Sequence, residues 1–442
     1  MKFQFKKLAL IALAAIPLTL LAQQPKISNF RPYDQTGINV FETSKADTVP
    51  FTGLKVRWGA GFTQQFQNLK HENPGALNNT GTGANRLYPL QNGFMTAQAN
   101  LFMDVQLADG VKLNVTSYLS ARHHNETWVK GGYIQFDKVP FKGQFWDDLM
   151  KITTVKIGHF EVNYGDQHFR RTDGGQALYN PFMDNYIMDE FATEIGGEVY
   201  VQKNGLLGMI GMTTGMIKGS IDSAIATVPD PNTSRNPSIY FKLGFDKKLN
   251  DNVRVRLTGS YYANSSNAGS GLTLFGGDRT GSNYQNVMEK GAPGALPAST
   301  AVAFSGRFNP GFSKKINAAM LNGFVKVYGL EVFATYEASK GRTKNETIDR
   351  KATQYAVEGV YRFGKSENLF VGARYNAVKA TLAGIANDVS VNRTSFAGGW
   401  FMTKNVLLKG EYVIQKYVDF PAADYRSTGK FSGYVIEAVV GF

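Results

Sequence analysis

An alternation of apolar and polar side chains with a period of two runs through most of this chain. It is interrupted by connections that are alternately short and long. The final stretch shows the pattern: Tyr434, Ile436, Ala438, Val440 and Phe442 share one face, and Val435, Glu437, Val439 and Gly441 share the other. Successive side chains of a strand point to opposite faces, so such a stretch has one oily wall and one wetter wall. Residues 53–67 repeat it, with Leu54, Val56, Trp58, Ala60 and Phe62 against Lys55 and Arg57. Residues 93–108 place Leu101, Met103 and Leu107 against Asn100, Asp104 and Gln106. Further strands are expected over 111–121, 127–138, 151–161, 192–203, 205–216, 236–247, 252–263, 316–328, 330–340, 352–363, 368–381, 391–403, 405–418 and 430–442. The total is about 16, an even number as single-chain bacterial outer-membrane barrels require.

The connections choose between a closed barrel and a two-sheet sandwich. Asp109-Gly110, Asn204-Gly205, Asn250-Asp251, Gly329, Gly364 to Glu367 and Lys404-Asn405 are tight, and Asp-Gly and Asn-Gly are strong hairpin pairs. Between them lie long polar stretches at 68–92, 162–191, 217–235, 264–315, 341–351, 382–390 and 419–429. Two connections break the rule, a short outer one at 122–126 and a long inner one at 139–150. Short turns at one end and long loops at the other are the mark of a transmembrane barrel. Strands running inward end in Phe136, Phe245, Tyr328, Phe363 and Phe442, which predicts an aromatic girdle at the periplasmic interface. The expected fold is therefore all-β: a transmembrane antiparallel β-barrel of about 16 strands with long external loops and short periplasmic turns.

Lys2, Lys6 and Lys7 precede the apolar run from Leu8 to Leu21 and then Ala22-Gln23, which predicts a secretory signal peptide over residues 1–22. That run is broken by Pro17 and falls short of the about 20 apolar residues a spanning helix needs. Residues 23–50, punctuated by Pro25, Pro32 and Pro50, are expected as a periplasmic N-terminal arm, and residues 51–442 as the barrel. Loss of the leader takes 48 basic side chains to 45 against 35 acidic, a surplus of +10. No basic run or recognition helix accompanies it, so nucleic acid is not an expected partner, and a surface or pore facing anions is. With no Cys in the chain, a lipoprotein anchor, disulfides, thiol catalysis and Cys-ligated metals are excluded. The adjacent His123-His124 pair would point to opposite sides of a strand and does not chelate. No metal or cofactor is expected.

About 16 strands enclose a lumen wide enough for an aqueous channel. A charge facing hydrocarbon costs about 2–4 kcal/mol for Arg or Lys at mid-depth, so charged strand residues belong inside, where water solvates them. The cations assigned to the lumen wall are Lys55, Arg57, Lys112, Lys156, Lys242, Arg254, Arg256, Lys326, Arg362, Arg374, Arg393 and Lys409. The anions are Asp104, Glu194, Glu198, Glu331, Glu337, Glu358, Glu411 and Glu437. Two readings of this wall stand open: a field that favours anions, and a solvated wall of mixed charge. The connection 162–191 is long and rich in aromatics, which need somewhere to pack. It is expected to fold inward and narrow the pore. His168, Arg170 and Arg171 would then supply positive potential, with Asp166, Asp173, Asp184, Asp189 and Glu190 as partners or an opposing ring.

Asn163-Tyr-Gly-Asp-Gln-His-Phe-Arg-Arg-Thr-Asp-Gly-Gly, Tyr179-Asn-Pro-Phe, Tyr186-Ile-Met-Asp and Thr193-Glu-Ile-Gly-Gly-Glu-Val-Tyr resemble porins of the Bacteroidota related to the phosphate-selective porin O and P family. Phe30-Arg-Pro-Tyr-Asp-Gln and Gly37-Ile-Asn-Val-Phe-Glu resemble the same group. The resemblance extends loosely from about residue 30 onward and is specific mainly over 156–201. It implies a 16-stranded outer-membrane channel, trimeric, with an inward third loop. Phosphate-selecting members use constriction lysines and an arginine ladder. Here 162–191 contains Arg170 and Arg171 but no Lys, so only the pore carries over.

The first expectation for function is a Gram-negative outer-membrane porin passing small hydrophilic solutes, with a preference for anions of the phosphate type. Its partners would be the lipid bilayer, lipopolysaccharide, the solutes and two further copies of the chain. The alternative is a barrel acting as a docking component of a secretion or uptake assembly, using Phe30, Tyr33 and Phe41 of the arm. A third, an outer-membrane hydrolase built on Asp166 and His168, lacks a legible nucleophile, and no enzyme is expected.

Overall fold

The computed structural model describes residues 24–46, 49–120, 127–215, 226, 228, 231, 233–265, 271–272, 274–277, 283–291 and 305–442. Sixteen strands form one closed antiparallel barrel. They are β1 (Lys55–Glu72), β2 (Gly93–Phe94 continued by Gln98–Ala108), β3 (Val111–Ser120), β4 (Thr127–Phe136), β5 (Thr153–Glu161), β6 (Thr193–Lys203), β7 (Leu206–Thr213) and β8 (Ser238–Asn250). The second half is β9 (Val253–Asn264), β10 (Lys315–Val327), β11 (Leu330–Arg342), β12 (Arg350–Phe363), β13 (Leu369–Ala380), β14 (Val389–Thr403), β15 (Val406–Val418) and β16 (Lys430–Gly441). Each strand pairs with its neighbours in sequence, and β16 closes on β1, from Gly61 opposite Gly441 to Glu72 opposite Lys430. That closure carries β1 on to Glu72, past the expected end at residue 67. The break in β2 is bridged by the Gln64 side chain, whose Nε2 donates to the Met95 carbonyl at 2.7 Å.

The tight turns cluster at one end. Asn204 and Gly205 have φ of 52° and 87°, the two left-handed residues of a type I′ hairpin. The long inner connection contains a short helix, α1 (Gln144–Met150). The outer 122–126 connection, with His123 and His124, lies outside the described residues.

The alternation translates directly into inside and outside. On β12, Gln354, Glu358 and Arg362 are buried in the interior, whereas Tyr355 and Val357 face outward, 49% and 52% exposed. Opposite charges on the interior therefore coexist with an apolar exterior on one strand. Tyr328, Phe363 and Phe442 are exposed where the barrel meets the short turns, and Phe136 and Phe245 are half-covered there. Val357→Arg, which puts a guanidinium on the outer face, should cost about 2–4 kcal/mol if lipid covers it. The check is the folded fraction recovered in lipid vesicles; an unchanged fraction would mean that this face is wet.

The interior departs from a water-filled bore. Three stretches of chain enter it. Residues 24–46 lie in the short-turn mouth, where the Gln35 amide donates to the Lys404 carbonyl at 2.8 Å. Residues 162–192 occupy the middle. From the long connection between β9 and β10, Leu272, Leu274, Phe275, Tyr284, Val287, Met288, Phe308 and Phe312 enter from the other end. These pack with Met183, Ile187, Met188, Tyr240, Tyr262 and Met320 into one apolar cluster inside the barrel. The reason is hydrophobic burial: apolar side chains on a long connection gain about 25 cal/mol per Å² by leaving water, and the interior is the nearest shelter.

Candidate functional site

The chain leaves β5 at Glu161 and turns inward, with short 3₁₀ turns at Gln167–Arg170 and Asp173–Leu178. Its polar groups are fastened to the wall one after another. Asp166 accepts from Arg256 Nε at 2.8 Å, Arg256 Nη2 at 2.7 Å and Thr258 Oγ1 at 2.7 Å, with Lys242 Nζ at 3.1 Å. Arg170 Nε donates to Glu358 at 2.6 Å, and Arg374 Nε donates to the other oxygen of that carboxylate at 2.7 Å. Tyr186 completes the set, its hydroxyl donating to Glu358 at 3.2 Å. Asp184 pairs with Arg393 at 3.0 Å. Lys409 Nζ donates to the carbonyls of Ala177, Asn180 and Phe182 at 3.0, 2.9 and 2.9 Å and pairs with Glu437 at 3.1 Å. The Ile187 and Met188 amides donate to Asn376 and Gln354 at 2.7 and 2.8 Å.

All of these wall partners belong to β8 through β16. The inward segment is therefore held mainly to one side of the bore, while at its start the Asn163 amide donates to Glu198 of β6 at 2.8 Å. Against β2 to β6 a cavity of about 290 Å³ remains, reaching from Asn29 of the arm to His168 and Phe191 of the inward segment. Its charged lining is Arg31, Glu42, Lys130, Lys156 and Glu161, with His159 and His168 beside them. Lys156 Nζ lies 3.3 Å from Glu198 and sits over the rings of Tyr133 and Phe160 at 4.5 and 4.1 Å.

Of the residues expected at a constriction, Asp166, Arg170, Arg171, Asp184, Asp189 and Glu190 are buried in the interior. His168 alone of that set borders the cavity. Arg171 is bidentate on Asp189 at 2.5 and 3.0 Å and also donates to the Glu190 carbonyl at 2.7 Å. The Asp173 side chain lies outside the described residues. Of the expected wall cations, Lys156 borders the cavity. Lys55 lies half-buried near the Pro50 carbonyl at 3.5 Å, Arg57 is clamped on Asp104, and Arg254 is bidentate on Asp246 at 2.8 and 2.6 Å. Lys326 pairs with Glu367 at 2.7 Å. Lys242, Arg256, Arg374 and Lys409 hold the inward segment. These charges face the lumen, yet around the buried ones, Lys242, Arg256, Arg374 and Lys409, carboxylates and carbonyls take the place of water. Chain filling the bore has displaced the water, and a buried charge survives only when paired and hydrogen-bonded.

Arg31, Glu42, Lys130, His159 and Glu161 were not among the expected residues. Arg31 and Glu42 belong to the arm, whose Phe30-Arg31 and Phe41-Glu42 couplets were the available signal for a segment with one packed and one polar side. Lys130 is turned inward by a register shift opposite Thr116 and Ser117, which reverses parity so that Val129 points out and Lys130 in. A bulge of this kind is invisible to strict alternation.

A closed antiparallel barrel with an apolar exterior, a charged interior and an inward connection between strands is the architecture of an outer-membrane porin, and it places the chain in the outer membrane of a Gram-negative bacterium. No protein-family model and no curated protein matches the chain. Among solved structures it is similar to the anion-selective porin from Comamonas acidovorans, at 10% identity and TM-score 0.51 over 88% of this chain and 100% of that one. It is also similar to Salmonella typhi OmpF, solved in complex with daunomycin, at 12% identity and TM-score 0.49 over 88% and 98% of the two chains. The outer membrane channel DcaP of Acinetobacter baumannii gives 11% identity and TM-score 0.47 over 89% and 99%. At these identities the likeness is one of fold.

Proposed function

We propose that the chain is a passive diffusion channel for small hydrophilic solutes, with a preference for anions, working as a homotrimer. The observation that carries this reading is the eccentric cavity: the inward segment is stitched to β8 through β16 and leaves polar space along β2 to β6. A cavity of about 290 Å³ is of a size for small solutes, just below the about 300–1,000 Å³ typical of ligand pockets. Its lining includes Arg31, Lys130 and Lys156 against Glu42 and Glu161, and the residues of a narrow pore set its ion preference. The motif resemblance to Bacteroidota porins supports the pore, and only the pore.

The docking alternative draws no support from the arm, because Phe30 and Phe41 are buried and Tyr33 stacks on Phe102 at 4.3 Å. For a hydrolase, Asp166 is already engaged by Arg256, Lys242 and Thr258, and so is poorly placed to orient His168. The test is the purified full-length mature protein in a planar bilayer. The expected result is a steady ohmic current whose reversal potential across a salt gradient has the anion sign. A silent bilayer would end the channel reading, and a cation-sign potential would end the anion preference.

A further inference from the structure

The N-terminal arm does more than rest in the mouth. It crosses it. Tyr33 stacks on Phe102 of β2, and Asn39 Nδ2 donates to Glu331 of β11 at 2.6 Å. Phe41 packs edge-on against Phe324 of β10 and Phe169 of the inward segment, both at 5.4 Å between centroids. Lys45 pairs with Asp137 beyond β4 at 3.2 Å. Asn39 also accepts from Arg170 at 2.5 Å through its side chain and from Arg254 at 2.8 Å through its carbonyl. One residue thus ties arm, wall and inward segment together.

Arg31 is the exception among the interior arginines. Arg170, Arg171, Arg374 and Arg393 are each neutralised by a carboxylate. No carboxylate among the described residues lies within ion-pair distance of Arg31, and its Nη2 makes no hydrogen bond among them. Its Nε donates to the Gly37 carbonyl at 2.8 Å, and its guanidinium lies 3.7 Å from the centroid of the Tyr179 ring. The side chain is thereby held in place while it borders the cavity. The arm's carboxylate there, Glu42, is covered by Arg256 at 2.7 Å and Lys242 at 3.2 Å. Gly37 allows the close packing: a Cβ there would collide with the Pro32 carbonyl and stand 2.7 Å from the Tyr179 ring.

We propose that the arm is the inner half of the solute filter and that Arg31 is its charge-selecting residue. A cation beside the cavity with no carboxylate in ion-pair contact attracts anions and repels cations, whereas a cation already paired presents little net field. On this account Arg170 and Arg171 are fasteners and Arg31 faces the solute. The inference rests on the diffusion-channel reading above.

The experiment uses the full-length mature protein and three single substitutions in planar bilayers and in liposome swelling. Arg31→Gln removes the charge and should lower the anion-to-cation permeability ratio at least about twofold, with conductance nearly kept. Gly37→Leu pushes the arm off Tyr179 and should raise single-channel conductance and admit larger neutral sugars. Lys138→Gln removes an exposed cation at the same mouth, 61% exposed at its side chain, and should change neither. A reversal potential unmoved by Arg31→Gln, or moved equally by Lys138→Gln, overturns the selecting role. Conductance and sugar cut-off unmoved by Gly37→Leu overturn the sizing role. Absence of current in the parent protein instead defeats the diffusion reading itself.

Discussion

Glu358→Ala should unfold at a markedly lower temperature than the parent and pass more current before it does. Glu358 is shared by Arg170 at 2.6 Å, Arg374 at 2.7 Å and the Tyr186 hydroxyl at 3.2 Å. Its removal leaves the buried Arg374 guanidinium without a carboxylate partner among the described residues, and Arg170 with only the more distant Glu331, 4.0 Å away. Breaking a buried pair in this way costs about 3–5 kcal/mol, because the orphaned charge loses its partner and has no water to return to. The inward segment would be released where Arg170 and Tyr186 hold it, so conductance should rise and become noisy. Gel mobility of unboiled samples across a temperature series reads the first effect, and single-channel recording reads the second. Glu358→Gln keeps volume and an acceptor, and should fall between parent and Ala. An unshifted unfolding temperature would mean that water reaches both guanidinium groups.

Asp166→Asn should act similarly at the other end of the inward segment and should also change ion preference. Asp166 balances Arg256 and Lys242, both buried. Arg256 retains Glu42 at 2.7 Å and Asp246 at 3.2 Å, so the loss belongs near the lower end of the same range, about 3 kcal/mol. The net charge of the cluster rises by one, and anion preference should rise with it. A lower unfolding temperature with an unmoved reversal potential would show that this cluster is insulated from the solute.

The barrel was legible because strand parity is a property of the covalent chain. Glu358 and Arg362 had to share a side, and Tyr355 and Val357 the other, once β12 was extended. The turns were legible for the same local reason, since Asn204-Gly205 is built for two left-handed residues. What lies inside was far less so. Whether Lys409 meets water or the carbonyls of Ala177, Asn180 and Phe182 depends on where a connection more than 200 residues earlier in the chain settles. The 264–315 connection looked like an external polar loop, yet Tyr284 ends in the interior beside Phe431. Lys130 was hidden by a register shift, and Arg31 by its place in a proline-punctuated stretch that has no periodicity. Local pattern decides which way a strand residue faces; tertiary contact decides what it meets.

The one-sided fastening of the inward segment divides the barrel by task. Strands β8 through β16 hold the assembly together through charge pairs, so most exchanges there are expensive. Strands β2 through β6 border the space and carry few of those fasteners. Positions on that arc that border the space without entering a charge pair, such as Thr116 and Gln202, can be exchanged at less cost to folding than the paired side chains of the opposite arc, whereas Asp104 and Glu198 on the same arc cannot.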